Sequence, residues 1–479
     1  MGGAVPLTSF VCSALQPASQ HEGGSLLGTP DCCLEHVCQI LDGSGSLGRR
    51  QSDPLEVDQM EIIVERAAGL DIHKKSITAC VRTPGSDGRR VERVRSFPAF
   101  LDGLTALRGW LLSEQVTHVA MESTSSYWVP VWRVLEEDGD PFDELLLCNA
   151  RHVRHVPGRK TDVKDASWLA QLCEVGLLHG SFVPPPPIRR LRVVTRYRKR
   201  LIQLRTSEVQ RVEKVLEDAV VKLGAVASST LTKSGRAMIE ALIAGERDPE
   251  ALADLAKAKL RNKIPELMRA MDGRFDEHHA VQLRQLLDHI DWFDATIDTL
   301  NDRIAAATEP FADVIVRLCT IPGVARRTAE VIIAETGADM SRFPTTGHLA
   351  SWAGLCPGHN ESGGKRRSGK TTPGDVWLAD ALTEAAWAAL RTTDTYLQAK
   401  FWRVAGPRAD SHRKNKAAVA VAHKMLIAAY HIMATPDEVY RDLGGDYFAK
   451  HDNPERRRDR LIAQLAKLGY DVKLTPTTA

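Results

Sequence analysis

From residue 62 to residue 148 the chain repeats one pattern, a short apolar run closed by a turn or by an acid. Residues 62–64 with 67–72 read as a buried strand that delivers Asp71. Residues 76–82 and 91–97 alternate in polarity on either side of the turn PGSDGRR at 84–90, as half-buried strands do. Helical spacing follows at 100–112, then a strand at 117–121 that ends at Glu122, a helix at 127–135, a strand at 144–148 and a helix at 162–178. Three strands followed by strand–helix alternation restrict this part to an α/β domain of about 120 residues with a mixed sheet.

Four acids on that scaffold need a use. Asp71 and Glu122 close strands, where core packing gives no reason for a carboxylate. Asp162 and Asp165 are three apart, so they share a face of the helix they open. Clustered carboxylates repel, and a hard cation offsets that repulsion. Mg²⁺ suits oxygen ligands and keeps positions open for phosphate oxygens; Mn²⁺ is the alternative. The plainer uses are a first-turn acid favoured by the helix dipole for Asp162, and surface strand ends for Asp71 and Glu122.

The pattern changes after residue 183. The four prolines at 184–187 are expected to form a stiff linker rather than a helix. Residues 189–205, RRLRVVTRYRKRLIQLR, then carry eight cations and no acid: Arg189, Arg190, Arg192, Arg196, Arg198, Lys199, Arg200 and Arg205. Leu191, Val194, Tyr197, Leu201 and Leu204 fall at helical steps and predict an apolar seam. Such single-sign charge is either a solvated face or a nucleic-acid contact, and the second is the simpler use of an unbroken run. Leu283, Leu286, Ile290, Phe293, Ile297, Leu300 and Ile304 keep three–four spacing, which predicts a coiled-coil seam. The two helical arms pair with each other or with another chain. Residues 318–337, LCTIPGVARRTAEVIIAETG, resemble a helix-hairpin-helix, with Ala325 where the usual second Gly stands.

The stretch 352–375, WAGLCPGHNESGGKRRSGKTTPGD, sets Ser362 beside Gly363 and Gly364 and then Lys365, Arg366, Arg367 and Lys370. A hydroxyl on backbone free to take positive φ, next to four cations, reads either as a flexible basic loop or as a nucleophile for a phosphodiester.

GLDIHKK at 69–75, VAMESTSSYW at 119–128, GRKTDVKDA at 158–166 and the serine stretch with its approach from residue 343 occur in one order. In that order they resemble the DEDD transposases, the bridge-RNA-guided recombinases of one bacterial insertion-sequence family. The resemblance covers about residues 60 to 450. It implies an RNase H-like, RuvC-like N-terminal domain at 60–183, a linker and helical coiled-coil region at 184–309, and a mainly α C-terminal transposase domain at 310–450, an α/β plus all-α chain. It implies that Asp71, Glu122, Asp162 and Asp165 are the metal-binding set, flanked by His73 and Lys74, and that Ser362 is the covalent nucleophile in a composite site. It also implies DNA as substrate, a structured guide RNA, a homo-oligomer, dimer or tetramer, and a bacterial cytoplasmic protein working at the nucleoid. Two places depart from the family pattern: Gly374-Asp375 stands for Gly-Asn and Leu378-Ala379 for Leu-Arg. The added acid and missing Arg are expected to weaken DNA contact or to mark a decayed copy. A metal-dependent nuclease or junction resolvase, and a non-catalytic nucleic-acid-binding protein, are the competing readings.

Composition decides a few exclusions. Of nine Cys, Cys12, Cys32, Cys33 and Cys38 fall in the first 40 residues and the rest are scattered without paired CxxC spacing, which argues against structural zinc and a disulfide framework. No apolar run of about 18 residues is evident, so no membrane span is expected. Residues 1–59 are Gly/Ser-rich and without sustained period, and lack the build of a secretory signal; they read as a disordered extension, with Met60 an alternative start. Residues 451–479 form a charged tail.

Overall fold

The structure, a computed structural model, describes residues 61–86, 89–123, 125–137, 139, 141–149, 162–358, 361–366, 369–451 and 454–474. The extension at 1–59, Met60 and Arg367 lie outside the described residues. The chain divides between Gly180 and Ser181 into two units.

In the first unit β1 (Ala67–Ile72), β2 (Ser76–Pro84), β3 (Arg90–Pro98), β4 (His118–Glu122) and β5 (Glu144–Cys148) form one sheet in the order β3-β2-β1-β4-β5. The β1–β2 and β2–β3 pairs are antiparallel, and the β1–β4 and β4–β5 pairs are parallel. The mixed sheet expected from the sequence is present. A tight connection between β1 and β2, with the His73 N–H donating to the Ser76 carbonyl at 2.9 Å, leaves only an antiparallel return. The longer crossovers through α1 (Leu101–Ser113) and α2 (Trp128–Leu135) allow the parallel pairs. α3 (Asp162–Glu174) lies against β1, β2 and β4. It stops short of the expected residue 178 because Gly176 takes φ 68°, the left-handed turn that ends helices. Burial pushes the thiols of Cys80, Cys148 and Cys173 up to about 12, so these three are packing groups rather than nucleophiles.

The second unit is helical. α4 (Pro186–Asp218) begins inside the proline run. Pro184 and Pro185 precede it, Pro185 in extended form, but Pro186 and Pro187 fill its first turn, which corrects the linker expectation. First-turn N–H groups have no intrahelical acceptor, so proline loses nothing there. Of the expected seam, Leu191 and Leu201 are buried, whereas Tyr197 and Leu204 face solvent; Ile188, Thr195 and later Val212 and Leu216 complete the buried face. α5 (Lys233–Ile243), α6 (Pro249–Asp254) and α7 (Ile264–Met271) form a small layer that packs with the C-terminal half of α4 and the start of α8 (Glu277–Ala307). α8 runs beside α4. Arg198 donates to Asn301 at 2.7 Å and Arg205 pairs with Asp294 at 2.5 Å, so a step forward on one helix matches a step back on the other. The two arms are therefore an antiparallel pair within one chain.

Leu191 and Ile304, near the open end of that pair, join a second core built from α9 (Ala312–Leu318), α10 (Arg326–Thr336), α11 (Thr346–Trp352), α12 (Val376–Ala389), α13 (Tyr396–Ala405) and α14 (Ser411–Ala434). Two short helices follow, α15 (Tyr447–Lys450) and α16 (Pro454–Lys467). α14, whose residues 415–433 read as an Ala-rich core helix from sequence, is long and apolar enough to cross a membrane by length and composition. Its Ala417, Ala418, Val421, Ala422, Met425, Leu426 and Ala429 are buried in the helical core, which accounts for its apolarity.

Candidate active site

The acids gather where β1 and β4 end. Leu70 lies opposite Met121 on the neighbouring parallel strand, so Asp71 and Glu122 each come one residue later, side by side. α3 supplies Asp162 and Asp165 in its first turn. It comes this close because Gly69, on the same face of β1 as Asp71, has no side chain: a Cβ there would sit 2.3 Å from the Ala166 carbonyl oxygen and 2.3 Å from the Ala170 nitrogen.

Asp71, His73 and Asp162 each offer a ligand atom, all within 4.8 Å of one another. The His73 Nε2 lies 3.3 Å from Asp71 Oδ2 and 3.4 Å from Asp162 Oδ1, bridging the two carboxylates. Burial pushes the Asp71 carboxyl above the ordinary carboxylate range; His73 pulls it back, and Asp162, Asp165 and Glu122 push it further up. The other three sequence-predicted acids thus all act on Asp71, though Glu122 and Asp165 are not in the group whose ligand atoms lie within 4.8 Å. The residue types fit a divalent cation: oxygen donors with one imidazole, crowded enough that a positive charge relieves their repulsion. Spacing alone gave no reason to prefer His73 as a ligand over a polar strand-end residue; its place beside both acids follows from the tight β1–β2 turn.

Ser362 sits on a minimal hairpin of the second unit. β6 (Glu361–Ser362) pairs antiparallel with β7 (Lys365–Arg366), with Ser362 opposite Lys365. Gly363 and Gly364 take φ 58° and 72°, the double left-handed turn that glycine allows and other residues resist. Nothing lies within 4 Å of a Cβ at either glycine, so the turn is dictated by backbone conformation and not by packing. Ser362, Lys365 and Lys370 are exposed. Isolated pairing of Pro357 with Thr371 closes the base of the loop.

The basic run on α4 is used within the chain to a degree its sequence did not show. Arg196 makes a bidentate pair with Glu335, at 2.9 and 2.7 Å, and reaches Asp375 at 3.0 Å. Arg192 donates to the carbonyls of Ala334 and Glu335 at the C-terminal end of α10, at 3.2 and 2.6 Å, where a cation complements the helix dipole. Glu335 is fully buried. Lys199 pairs with Glu384 and Arg198 with Asn301. Arg190 and Arg200 remain on the exposed face, and Arg189 is half-buried. Nothing in the run itself signalled Glu335, which lies far away in sequence. Asp375, one of the departures from the family pattern, caps α12 by accepting from the Leu378 N–H at 2.9 Å as well as pairing with Arg196.

The helix–turn–helix at 318–337 is formed by α9 and α10. Gly323 takes φ 87°, and a Cβ on it would meet the Ala385 carbonyl at 2.2 Å. Ala325 is the N-cap of α10 and offers no side-chain acceptor. Arg326 and Arg327 both turn back to the buried Glu330 at 3.0 Å.

Comparison with known families sets the class, an enzyme of the transposase/recombinase kind. Residues 68–221 match the model of the DEDD transposase of IS110, and residues 316–403 match the model of the transposase IS116/IS110/IS902 family. The chain belongs to the IS110 family of transposases and acts on DNA. No curated protein matches the chain.

Proposed function

We propose that this transposase works by a divided mechanism, with a cation held by Asp71, Glu122, Asp162 and Asp165 and with Ser362 as the nucleophile. The observation that carries it is the meeting of Asp71, His73 and Asp162 within 4.8 Å at the strand ends. The antiparallel β1–β3 meander followed by parallel β4 and β5 supports the RNase H-like, RuvC-like assignment of the first unit. Mg²⁺, or Mn²⁺ in its place, supplies charge neutralisation at the phosphate oxygens when bound. Ser362 forms an Oγ–P bond while one P–O bond of the strand breaks. The proton given up by the Ser362 hydroxyl ends on the leaving oxygen, which becomes the hydroxyl of the released strand end, so attack by a strand hydroxyl on the adduct reverses the step and rejoins DNA without loss of bond energy. Lys365, Arg366, Arg367 and Lys370 hold the phosphate, and Arg190 and Arg200 extend the track together with Arg189, Arg192, Arg196, Arg198 and Lys199, several of which also have partners within the chain.

A structured guide RNA pairs with target and donor DNA in this reading, as the resemblance implies. The exposed Val193, Tyr197 and Leu204 of α4 and Trp292 of α8 support a coiled-coil-mediated homo-oligomer, dimer or tetramer. Asp375, integrated as cap and ion-pair partner, supports a maintained protein over a decayed copy. A hydrolytic nuclease remains the second reading, because the acid cluster is assembled entirely within the first unit. Incubation with element-end DNA, Mg²⁺ and the adjacent non-coding RNA separates the two. Strand DNA attached to Ser362, absent in Ser362→Ala while DNA binding persists, is the expected outcome. Cleaved DNA with no adduct would leave the nuclease, and full adduct formation without RNA would remove the guide.

A further inference from the structure

Cations left without acids lie where the sequence gave no signal. α13 packs along α14. From α13, Lys400 and Arg403 are three residues apart and share a face. Both lie over the ring of Phe448, at 5.8 and 4.6 Å from its centroid. Phe448 stacks on Tyr396 at 5.3 Å and meets Tyr447 edge-on at 5.2 Å, which makes a small aromatic shelf. From α14, Lys424 comes near enough to Lys400 to act on its charge, and both lysines act on His423. Burial holds Lys400 below the ordinary lysine range, and Lys424 and Arg403 lower it further. Burial also lowers His423, helped by Lys424 and Lys400, and burial alone lowers Lys424. Lys400, His423 and Lys424 are half-buried and Arg403 is exposed.

The basic run of α4 differs from this cluster. There Arg192, Arg196, Lys199 and Arg205 each face a carboxylate. Among the described residues, none of Lys400, Arg403, His423 and Lys424 forms an ion pair. Half-burying like charges side by side is unfavourable unless an anion completes the arrangement. A guanidinium and two ammonium groups beside a flat apolar shelf match successive phosphates of a backbone.

We propose that Lys400, Arg403, His423 and Lys424 form a DNA-backbone contact of the second unit, distinct from the serine hairpin and from the basic face of α4. It rests on the reading of this chain as a DNA-rearranging enzyme and adds a station where duplex DNA is held rather than cut.

The test uses the full chain and a non-specific DNA duplex, with affinity measured across salt concentrations. Lys400→Gln combined with Lys424→Gln is expected to lower the slope of log affinity against log salt by about 2, at ~0.9 for each phosphate no longer neutralised, and to weaken binding by about ten-fold or more at 0.1 M salt. The melting temperature is expected to hold or rise, since a repulsion has gone. Lys400→Arg with Lys424→Arg is expected to restore the slope. An unchanged slope in a folded Gln variant overturns the proposal. So does a lower melting temperature with no rescue by Arg, which would mark a packing role. A loss confined to structured RNA, with the DNA slope intact, overturns the DNA assignment. Ser362→Ala serves as the separating control: it is expected to keep the slope, so a failed adduct assay with normal salt dependence counts against the nucleophile and not against this basic cluster. If the unsubstituted chain bound no duplex at all, both readings would fall together.

Discussion

A Cβ built on Gly69 would lie 2.3 Å from the carbonyl oxygen of Ala166. That single approach sets how near α3 comes to β1, and therefore how near Asp162 and Asp165 come to Asp71. Gly69→Ala is expected to push α3 outward, to lower stability by about 1–3 kcal/mol as overpacking does, and to weaken divalent-cation binding at least about ten-fold as the ligands separate. Gly109→Ala is the control. It sits exposed inside α1 with nothing within 4 Å of the new Cβ, so it should be neutral or stabilise by about 0.5–1 kcal/mol. Thermal melts and cation titration of both variants decide the point; equal behaviour would remove the steric argument.

Arg192 and Arg196 both pair with Glu335 and so join α4 to the C-terminal core, with Glu335 wholly out of solvent. Glu335→Ala leaves two guanidinium groups without their shared carboxylate and should cost about 3–5 kcal/mol, whereas Arg196→Ala leaves Glu335 paired with Arg192 and should cost less, about 1–3 kcal/mol. Arg190→Ala, on the exposed face of the same helix, should change stability by less than about 0.5 kcal/mol. Denaturant unfolding of the three variants checks the ranking. A similar loss for all three would mean that the pair carries no special weight.

The sequence made the first unit readable because its elements are local. Each strand has its own alternation, and the turn at 84–90 and the helices between strands leave few ways to join them. The acids were readable as a set for the same reason: strand ends and a helix start bring them together by topology. What could not be read depends on packing between distant segments. The bond from Arg196 to Glu335 spans helices far apart in the chain, so a run of cations looked free when part of it was already neutralised. Tyr197 and Leu204 continued an apolar spacing yet turned outward, because α4 packs on different partners along its length. Pro186 and Pro187 looked like breakers, although a helix start accepts them. Gly69 showed nothing in sequence beyond its place in a motif; its role appears only when α3 is laid on it.

Gly323 takes φ 87°, and its missing side chain admits the Ala385 carbonyl. Gly323→Ala meets both a left-handed backbone and a 2.2 Å contact, so a loss of at least about 2 kcal/mol is expected, together with a shift of the turn before α10. Melting of Gly323→Ala beside Ala325→Gly measures it. Ala325 is an N-cap with extended backbone, and Gly there should be tolerated within a few tenths of a kcal/mol.

Acid should weaken the contact between the small helical layer and α8. Arg236 on α5 grips Asp291 on α8 at 2.7 and 2.6 Å, and this holds the Asp291 carboxyl below its ordinary value of 3.8. A carboxyl depressed in the folded state contributes stability above its unfolded value, and that contribution fades as pH falls from 3.8 through the folded value. Because Asp291 is more than half exposed, solvent limits the contribution to no more than about 1 kcal/mol. Asp291→Asn should therefore match the parent at the acid end and fall below it at neutral pH, as unfolding at pH 3 and pH 7 would show. A constant difference at both pH values would mean the pair is not the source.

The acid cluster makes an opposite forecast for its own stability. In the cation-free protein the Asp71 carboxylate is disfavoured first by burial and then by Asp162, Asp165 and Glu122, with His73 only partly offsetting this. Asp71→Asn removes that unfavourable charge, so the variant should melt at a higher temperature than the parent in chelator. Added Mg²⁺ should reverse the order. The parent gains stability as cation binds, by about 2.7 kcal/mol at a hundred times the dissociation constant, while Asp71→Asn gains far less because a ligand is gone. Activity on element-end DNA should be lost in the variant at every Mg²⁺ concentration tried. A catalytic site built for a cation is strained without it, and crossing melting curves are the signature of that strain. Parallel curves, with the variant always lower, would instead make Asp71 a structural acid.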